Sequence, residues 1–150
     1  MALLRAEDLT IGVEIPLGQY TVASDEIIAF GRQWDPQSFH VDPEAAAGSY
    51  FGEVIASGLH TLGVLQRLAV LGVYEHWDVI AGRRIRGIEL TAPVTGGTTL
   101  LGSLTVESVE PRGPERALVT VRGALRTPQD RPVLEAVFEM YLRRSAGRFS

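Results

Sequence analysis

The chain contains no cysteine in its 150 residues, which excludes disulfide bonds and metal sites built from thiolates. It also lacks an excess of basic residues: 14 Lys and Arg stand against 18 Asp and Glu, and the formal net charge is -4. Nucleic-acid binding normally needs a basic face. This balance therefore argues against a nucleic-acid partner.

The chain also lacks a long uninterrupted hydrophobic run. Its most apolar stretch, residues 55–73, is broken by polar side chains (Ser57, His60, Thr61, Gln66 and Arg67), so a buried core helix is expected rather than a membrane span. The first ten residues, MALLRAEDLT, have neither the apolar core nor the cleavage site of a signal peptide. We expect one cytoplasmic domain over residues 1–150, without membrane association.

Two helix-start patterns precede the apolar stretch. Ser24 is predicted to cap a first helix that ends near Trp34. Asp42, followed by proline, is predicted to cap a short second helix, with a loop over Pro36–Val41 between the two. The long third helix is predicted over roughly Ile55–Val73. Because it is apolar nearly all round, it must be covered on most sides.

Beyond residue 79 the hydrophobic pattern alternates, which is typical of strands. Four such runs are separated by turn residues: 88–92, 100–106, 117–123 and 134–142. A short strand is also predicted at 19–22, whereas residues 1–16 show no clear period. The prediction is an α+β fold in which a four-stranded antiparallel meander wraps around the long central helix.

The segment WDPQSFH carries the first candidate chemistry, since Asp35 stands five residues before His40. An imidazole can exchange a proton near neutral pH, and a nearby carboxylate can share a water molecule with it. The alternative is structural: Asp35 caps the turn before Pro36 and His40 packs in the loop. Spacing alone leaves both interpretations open.

Ser57 and Gly58 supply the second candidate, at the start of the long helix. The first amides of a helix point outward without partners and carry partial positive charge. A glycine there lets a ligand oxygen approach the backbone, as a carbonyl that becomes an oxyanion requires. Alternatively, Gly58 only permits close packing. His60 could line a pocket or be a core histidine, and His40, His60 and His76 lack metal-ligand spacing. The sequence also has no dinucleotide fingerprint and no phosphate loop, so neither a metal nor another cofactor is expected.

Three segments together resemble the MaoC-like hydratase and dehydratase family of hot-dog-fold proteins. They are FGRQWDPQSFHVDPEAA (30–46), FGEVIASGLHT (51–61) and IELTAPVTGGTTL (88–100). The resemblance implies a sheet wrapped around a helix, usually in a dimer. It also implies chemistry on a 2-enoyl or 3-hydroxyacyl thioester of coenzyme A or acyl carrier protein.

By this resemblance, Asp35 and His40 would hold and activate water, and the Gly58 amide would polarise the thioester carbonyl. Independently of the resemblance, Ser57, Leu59, His60 and Leu62 are predicted to bind substrate, because they lie beside Gly58 on the central helix. The family usually has glycine before the aspartate and Asn-Pro after it, where this chain has Trp34 and Gln37-Ser38.

The implied activity is a hydro-lyase reaction, the reversible hydration of a 2-enoyl thioester. A hot-dog thioesterase and a non-catalytic acyl-thioester-binding subunit are the alternatives. A homodimer is expected, because unpaired strand edges and an apolar helix invite a second copy. The acyl pocket is expected beside the central helix, near Leu62 and Leu65. The arginine clusters, at 83, 84 and 86 and at 143 and 144, could meet a phosphorylated ligand but are more typical of solvated surface.

Overall fold

A five-stranded antiparallel sheet dominates the computed structural model, which describes residues 2–145. The strands are β1 (Glu14–Val22), β2 (Val79–Leu90), β3 (Thr98–Pro111), β4 (Arg116–Arg126) and β5 (Pro132–Arg143). The domain expected over residues 1–150 extends to residue 1 and residues 146–150, which lie outside the described part.

Helices precede most of the sheet in the chain. They are α1 (Ser24–Trp34), α2 (Ser38–Val41), α3 (Pro43–Ala47) and α4 (Gly58–Gly72), with single 3-10 turns at Ala6–Asp8 and Tyr74–His76. No helix in residues 2–145 combines the length and apolarity needed to cross a membrane.

The strand order is β1-β3-β4-β5-β2, so the predicted four-stranded meander is wrong in one respect. β3, β4 and β5 do form a meander, but β2 pairs with β5 instead of β3 and lies at the far edge. β1 occupies the place beside β3. The physical reason is that β3 already hydrogen-bonds on both sides, to β1 and β4, so β2 can join only at the free edge of β5.

β2 is also much longer than the run predicted at 88–92. The prediction missed its first part because all residues of β2 are exposed in the single chain. A strand without a buried face produces no clean alternation of apolar and polar residues. Likewise β1 begins at Glu14, before the predicted 19–22, and a register shift between Pro16 and Gly18 interrupts its pattern.

Helix α4 packs on the sheet with its apolar side, and its neighbours are β1, β3 and β4. Leu65 is fully buried there, and a Cβ atom on Gly123 would stand only 2.9 Å from the Leu65 side chain. Glycine in β4 therefore lets the helix approach the sheet. Burial of one leucine contributes about 1.5–3 kcal/mol. This sheet around a central helix confirms the predicted hot-dog fold.

The helix boundaries differ slightly from the predicted ones. α4 begins at Gly58 rather than near Ile55, because the Ser57 side chain accepts a hydrogen bond from the Leu59 amide and caps the helix. Ile55 instead forms a bridge with Thr95. The α1 cap is Ala23 rather than Ser24.

Candidate active site

Asp35 is held at the carboxyl end of α1, where its amide donates to the Gly31 carbonyl at 2.8 Å. The Ser57 hydroxyl donates to Asp35 Oδ2 at 2.7 Å, and the Gln37 amide donates to Oδ1 at 2.9 Å. The Ser57 hydrogen bond, then that of Gln37, with a smaller contribution from His40, hold the pKa of Asp35 below its usual value. Asp35 is therefore a fixed, ionised carboxylate at neutral pH.

His40 lies beside it and is only 4% exposed. Its Nδ1 atom is 2.6 Å from the Ile55 carbonyl oxygen, and its Nε2 atom is 3.3 Å from Asp35 Oδ2. Because a carbonyl only accepts, Nδ1 carries the hydrogen, which leaves Nε2 as the atom that can gain or lose a proton. The side chain is thus oriented with its exchangeable nitrogen against the carboxylate.

The loop predicted over Pro36–Val41 is wrong in part, because Ser38–Val41 forms the short helix α2. The His40 amide donates to the Gln37 carbonyl at 2.9 Å, which closes the helical turn. α2 also packs closely on α1: a Cβ atom on Gly31 would stand 3.0 Å from the His40 Cβ. His40 is consequently buried, not displayed on an accessible loop.

Gly58 is the first residue of α4, one position after the Ser57 cap. Within the described part of the chain its amide donates no hydrogen bond, as expected for the first turn of a helix. A Cβ atom here would clash with the end of the Leu90 side chain. Glycine therefore lets Leu90, at the end of β2, pack closely against the start of α4.

A cavity of about 420 Å³ joins these groups. Its walls come from four parts of the chain: His40; Phe51, Ile55, Ala56, Gly58 and Thr61; Leu90, Thr91, Ala92, Pro93 and Val94; and Arg131. The cavity thus contains a proton-exchanging imidazole and a helix-start amide. Asp35 and Ser57 are not among its lining residues, but Asp35 contacts the His40 ring and Ser57 caps the start of α4.

A second cavity of about 560 Å³ lies between α4 and β2. Leu59 and Leu62, two of the predicted substrate-binding residues, line it together with Tyr74 and Phe138. Leu65, expected to help set pocket depth, lines neither cavity because it is fully buried beneath the sheet.

His60 also lines neither cavity. It is 7% exposed, its ring stacks on Phe30 at 4.7 Å, and its Nε2 atom is 3.4 Å from Glu26 Oε2. Tyr20 donates to the same carboxylate oxygen at 2.9 Å. Burial opposes ionisation of Glu26, but hydrogen bonds from the Ala23 amide, Tyr20 and His60 hold its pKa below the usual value. This arrangement is that of a packed core histidine linking α4 to α1.

The arginine clusters are engaged in ion pairs. Arg83 and Arg86 contact the buried Glu139 at 2.5 and 3.1 Å. Arg143 faces Asp78 at 3.5 Å, and Arg144 faces Glu7 at 3.3 Å.

The sequence interpretation missed four residues at the site: Gln37, Thr61, Leu90 and Arg131. Gln37 departs from the family pattern, and its side chain donates a hydrogen bond to Asp35. Thr61 was detectable, since it lies one helical turn beyond Gly58. Leu90 and Arg131 reach the site from β2 and the β4–β5 turn, and no local sequence pattern signals such a contact. The other departure, Trp34, is 64% exposed and lines neither cavity.

Fold and site together define a hot-dog-fold protein with an aspartate–histidine contact beside the start of its central helix. Residues 10–127 match the MaoC like domain family, and the chain belongs to this family. The resemblance inferred from the three sequence segments is thereby confirmed.

The chain is similar to 3-hydroxyacyl-thioester dehydratase Z of Mycobacterium tuberculosis, with 32% identity over 107 residues covering 67% of this chain and 68% of that protein. It is similar in structure to a MaoC-like dehydratase from Rhodospirillum rubrum, with a TM-score of 0.83 and 30% identity over 95% of this chain and 98% of that one. A protein from Archaeoglobus, described as a monoamine oxidase regulatory protein, has a TM-score of 0.89, 24% identity and 97% coverage of both chains.

Proposed function

We propose that this protein is a hydro-lyase that reversibly hydrates a 2-enoyl thioester to a 3-hydroxyacyl thioester. The observation that carries the proposal is the contact between Asp35 and His40. His40 Nε2 faces the carboxylate at 3.3 Å, while Nδ1 is held by a backbone carbonyl. A water molecule beside this pair can donate one hydrogen to Asp35 Oδ2 and the other to His40 Nε2, which positions its oxygen for attack.

In the proposed reaction, the thioester carbonyl oxygen accepts a hydrogen bond from the Gly58 amide. Water adds its oxygen to C3 while His40 Nε2 takes one of its protons. The electrons of the double bond move to the carbonyl oxygen, where the Gly58 amide stabilises the negative charge. His40 then returns the proton to C2, so that the net change is the addition of one water molecule.

Asp35 has a supporting role in this scheme. As a carboxylate it accepts the second hydrogen of the water and stabilises the imidazolium that forms on His40. Its lowered pKa suits this role, because the group must stay ionised while His40 gains a proton. No metal or redox cofactor is needed for these steps.

The named relatives support the reaction class. One is named a 3-hydroxyacyl-thioester dehydratase, and another is described as a MaoC-like dehydratase. The substrate class, an acyl thioester of coenzyme A or acyl carrier protein, is part of our proposal. So are a homodimeric assembly, a cytoplasmic location, and an acyl site beside α4 that includes Leu59 and Leu62.

The proposal is tested by incubating the purified protein with crotonyl-CoA and longer enoyl-CoAs. Enoyl absorbance and free thiol are followed together. We expect loss of enoyl absorbance without thiol release. Thiol release would support a thioesterase instead. Binding of acyl-CoA with neither change would support a non-catalytic subunit.

A further inference from the structure

Arg131 lies at the end of the β4–β5 turn, and its backbone is fixed on both sides. Its amide donates to the Thr127 hydroxyl at 3.1 Å, and its carbonyl accepts from the Thr127 amide at 3.0 Å. Asp130 adopts a positive φ of 66° within the turn. The turn therefore holds the Arg131 Cα in one place on the cavity wall.

The guanidinium of Arg131 is unpaired. Within residues 2–145 it makes no hydrogen bond or ion pair with another side chain, and the nearest acid in sequence, Asp130, is engaged by Arg126 at 3.0 Å. The arginines at 83, 86, 143 and 144 all face carboxylates, as described above. Arg131 therefore keeps its positive charge available for a ligand.

The position of Arg131 in the cavity indicates which part of a ligand it meets. The His40 side chain lines the buried part of the same cavity and is 5% exposed, whereas Arg131 is an exposed residue. A ligand that places a reacting group at His40 and Gly58 must extend its remaining part past the open side. An unpaired guanidinium at that side favours an anionic group, and phosphate matches its planar donors.

We propose that Arg131 is a specificity-determining residue that binds a phosphate group of the thioester carrier. The inference rests on the proposed function for the identity of the ligand as a thioester. Coenzyme A and acyl carrier protein both present phosphate on the pantetheine arm, and coenzyme A adds nucleotide phosphates. The shared chemistry is phosphate recognition at the cavity mouth, outside the acid-base pair.

The test compares Arg131→Gln with the parent on three thioesters that share the crotonyl group and carry different numbers of phosphate groups. Crotonyl-CoA carries the pantetheine phosphate and the nucleotide phosphates. Crotonyl-4'-phosphopantetheine carries one phosphate, and crotonyl N-acetylcysteamine carries none. We expect KM for crotonyl-CoA to rise about tenfold, equivalent to 1.4 kcal/mol, with kcat unchanged. KM for the N-acetylcysteamine thioester should not change. Arg131→Lys should recover part of the loss, because it keeps the charge without the planar fork.

Arg112→Gln is the matched control. Arg112 lies in the β3–β4 turn and pairs with Glu110 at 2.8 Å, so the change in net charge is the same away from the cavity. This variant should leave the KM values at the parental level. If Arg131→Gln raises KM for the phosphopantetheine thioester as well as for crotonyl-CoA, the contact is with the phosphate common to both carriers. If it raises KM for crotonyl-CoA alone, the contact is with the nucleotide phosphates.

Direct binding of CoA, measured by calorimetry, separates failure of this inference from failure of the proposed function. If the parent hydrates no thioester but binds CoA, and Arg131→Gln weakens that binding about tenfold, phosphate recognition stands without the reaction. If the parent is active and Arg131→Gln has parental KM values and CoA affinity, the inference is overturned while the function stands. A parent that neither binds CoA nor hydrates any of the thioesters overturns both.

Discussion

The Ser57 hydroxyl both caps helix α4 and contacts the candidate catalytic residue Asp35. Its oxygen accepts the Leu59 amide at 3.2 Å, which caps α4, and its hydrogen is donated to Asp35 at 2.7 Å. The residue is 1% exposed, so water cannot readily replace either bond. The same side chain thus fixes the Gly58 amide and the carboxylate relative to one another.

Ser57→Ala should therefore lower both stability and activity. Loss of the cap costs about 1 kcal/mol of the free energy of unfolding. Loss of the bond to Asp35 raises the pKa of that carboxyl toward its ordinary value. The acid limb of the pH profile of kcat/KM should then move to higher pH, measured by initial rates of enoyl hydration.

The sign of the stability effect follows from the lowered pKa of Asp35. The stabilisation that ionised Asp35 gives the folded state is complete above the ordinary aspartate pKa of about 3.9. It is lost as the pH falls through the lower pKa that Asp35 has in the folded protein. The difference in melting temperature between parent and Ser57→Ala should hence be larger at pH 7 than at pH 3.

Asp42→Ala is the control for the capping effect. Asp42 caps α3 by accepting the Glu44 amide at 3.0 Å, but it touches none of the proposed reacting groups. It should lower stability by a similar amount without moving the acid limb. Equal movement of the limb in both variants would contradict the assigned role of Ser57.

At the scale of single residues, spacing alone left the relation of Asp35 to His40 open, and the family resemblance implied that the two act together; the structure brings them into contact. The sequence predicted the Asp42 cap, since Asp-Pro-Glu is a local signal. It could not predict Arg131 at the cavity. That contact depends on the β4–β5 turn meeting the end of β2, which is set by strand order.

Among the secondary-structure elements, helix α4 contributes to both cavities. Gly58 and Thr61 line the cavity that contains His40, and Leu59 and Leu62 line the larger cavity beside β2. The sequence predicted this helix and its apolar character well. The predicted start at Ser57-Gly58 is confirmed, whereas the apolar pattern alone extends to residue 55, because residues 55 and 56 are as apolar as the helix itself. Only the Ser57 side chain marks the boundary.

Leu62→Trp should shift the acyl-chain preference toward shorter enoyl-CoAs, because the indole ring is larger than the leucine side chain and would fill part of the α4–β2 cavity. We expect kcat/KM for an eight-carbon enoyl-CoA to fall about tenfold or more relative to crotonyl-CoA. Leu71→Trp, at an α4 position that is 51% exposed and lines neither cavity, should keep the parental profile. An unchanged profile in active Leu62→Trp protein would falsify the location of the acyl site.

The whole molecule presents two sheet edges of different character. The β1 edge carries Pro16, which discourages strand addition because proline has no amide hydrogen to donate. β2 is twelve residues long, contains no proline, and exposes Ile80, Ile85 and Ile88 by 44–52%. An edge of this kind favours pairing with a second copy. The sequence predicted a dimer from unpaired edges in general, but β2 as the specific edge requires knowledge of the strand order.

We expect the protein to be a homodimer joined through β2. Light scattering at micromolar concentration should give twice the chain mass of 16.3 kDa. Ile85→Lys, near the middle of β2, would bring two positive charges together across a twofold axis, so it should shift the mass toward the monomer. Ile11→Lys is the control, since Ile11 is similarly exposed at 54% and lies outside the sheet. A monomeric mass for the parent would contradict the dimer.

The central claim is that Asp35 and His40 act together on one water molecule. The most direct test measures hydration of crotonyl-CoA by His40→Gln, Asp35→Asn and the double variant. Both substitutions keep the approximate side-chain size and remove the titratable group. Asp35→Asn gives up one of the two hydrogen bonds that Asp35 accepts, from Ser57 or Gln37, because an amide nitrogen only donates. General acid-base groups contribute roughly a hundred- to ten-thousandfold in rate, and residues that act on one water are strongly non-additive. We expect each single variant to lose activity by such a factor, the double variant to lose little more, and all three to melt near the parent and bind CoA. A folded His40→Gln protein that hydrates crotonyl-CoA at the parental rate would contradict the account.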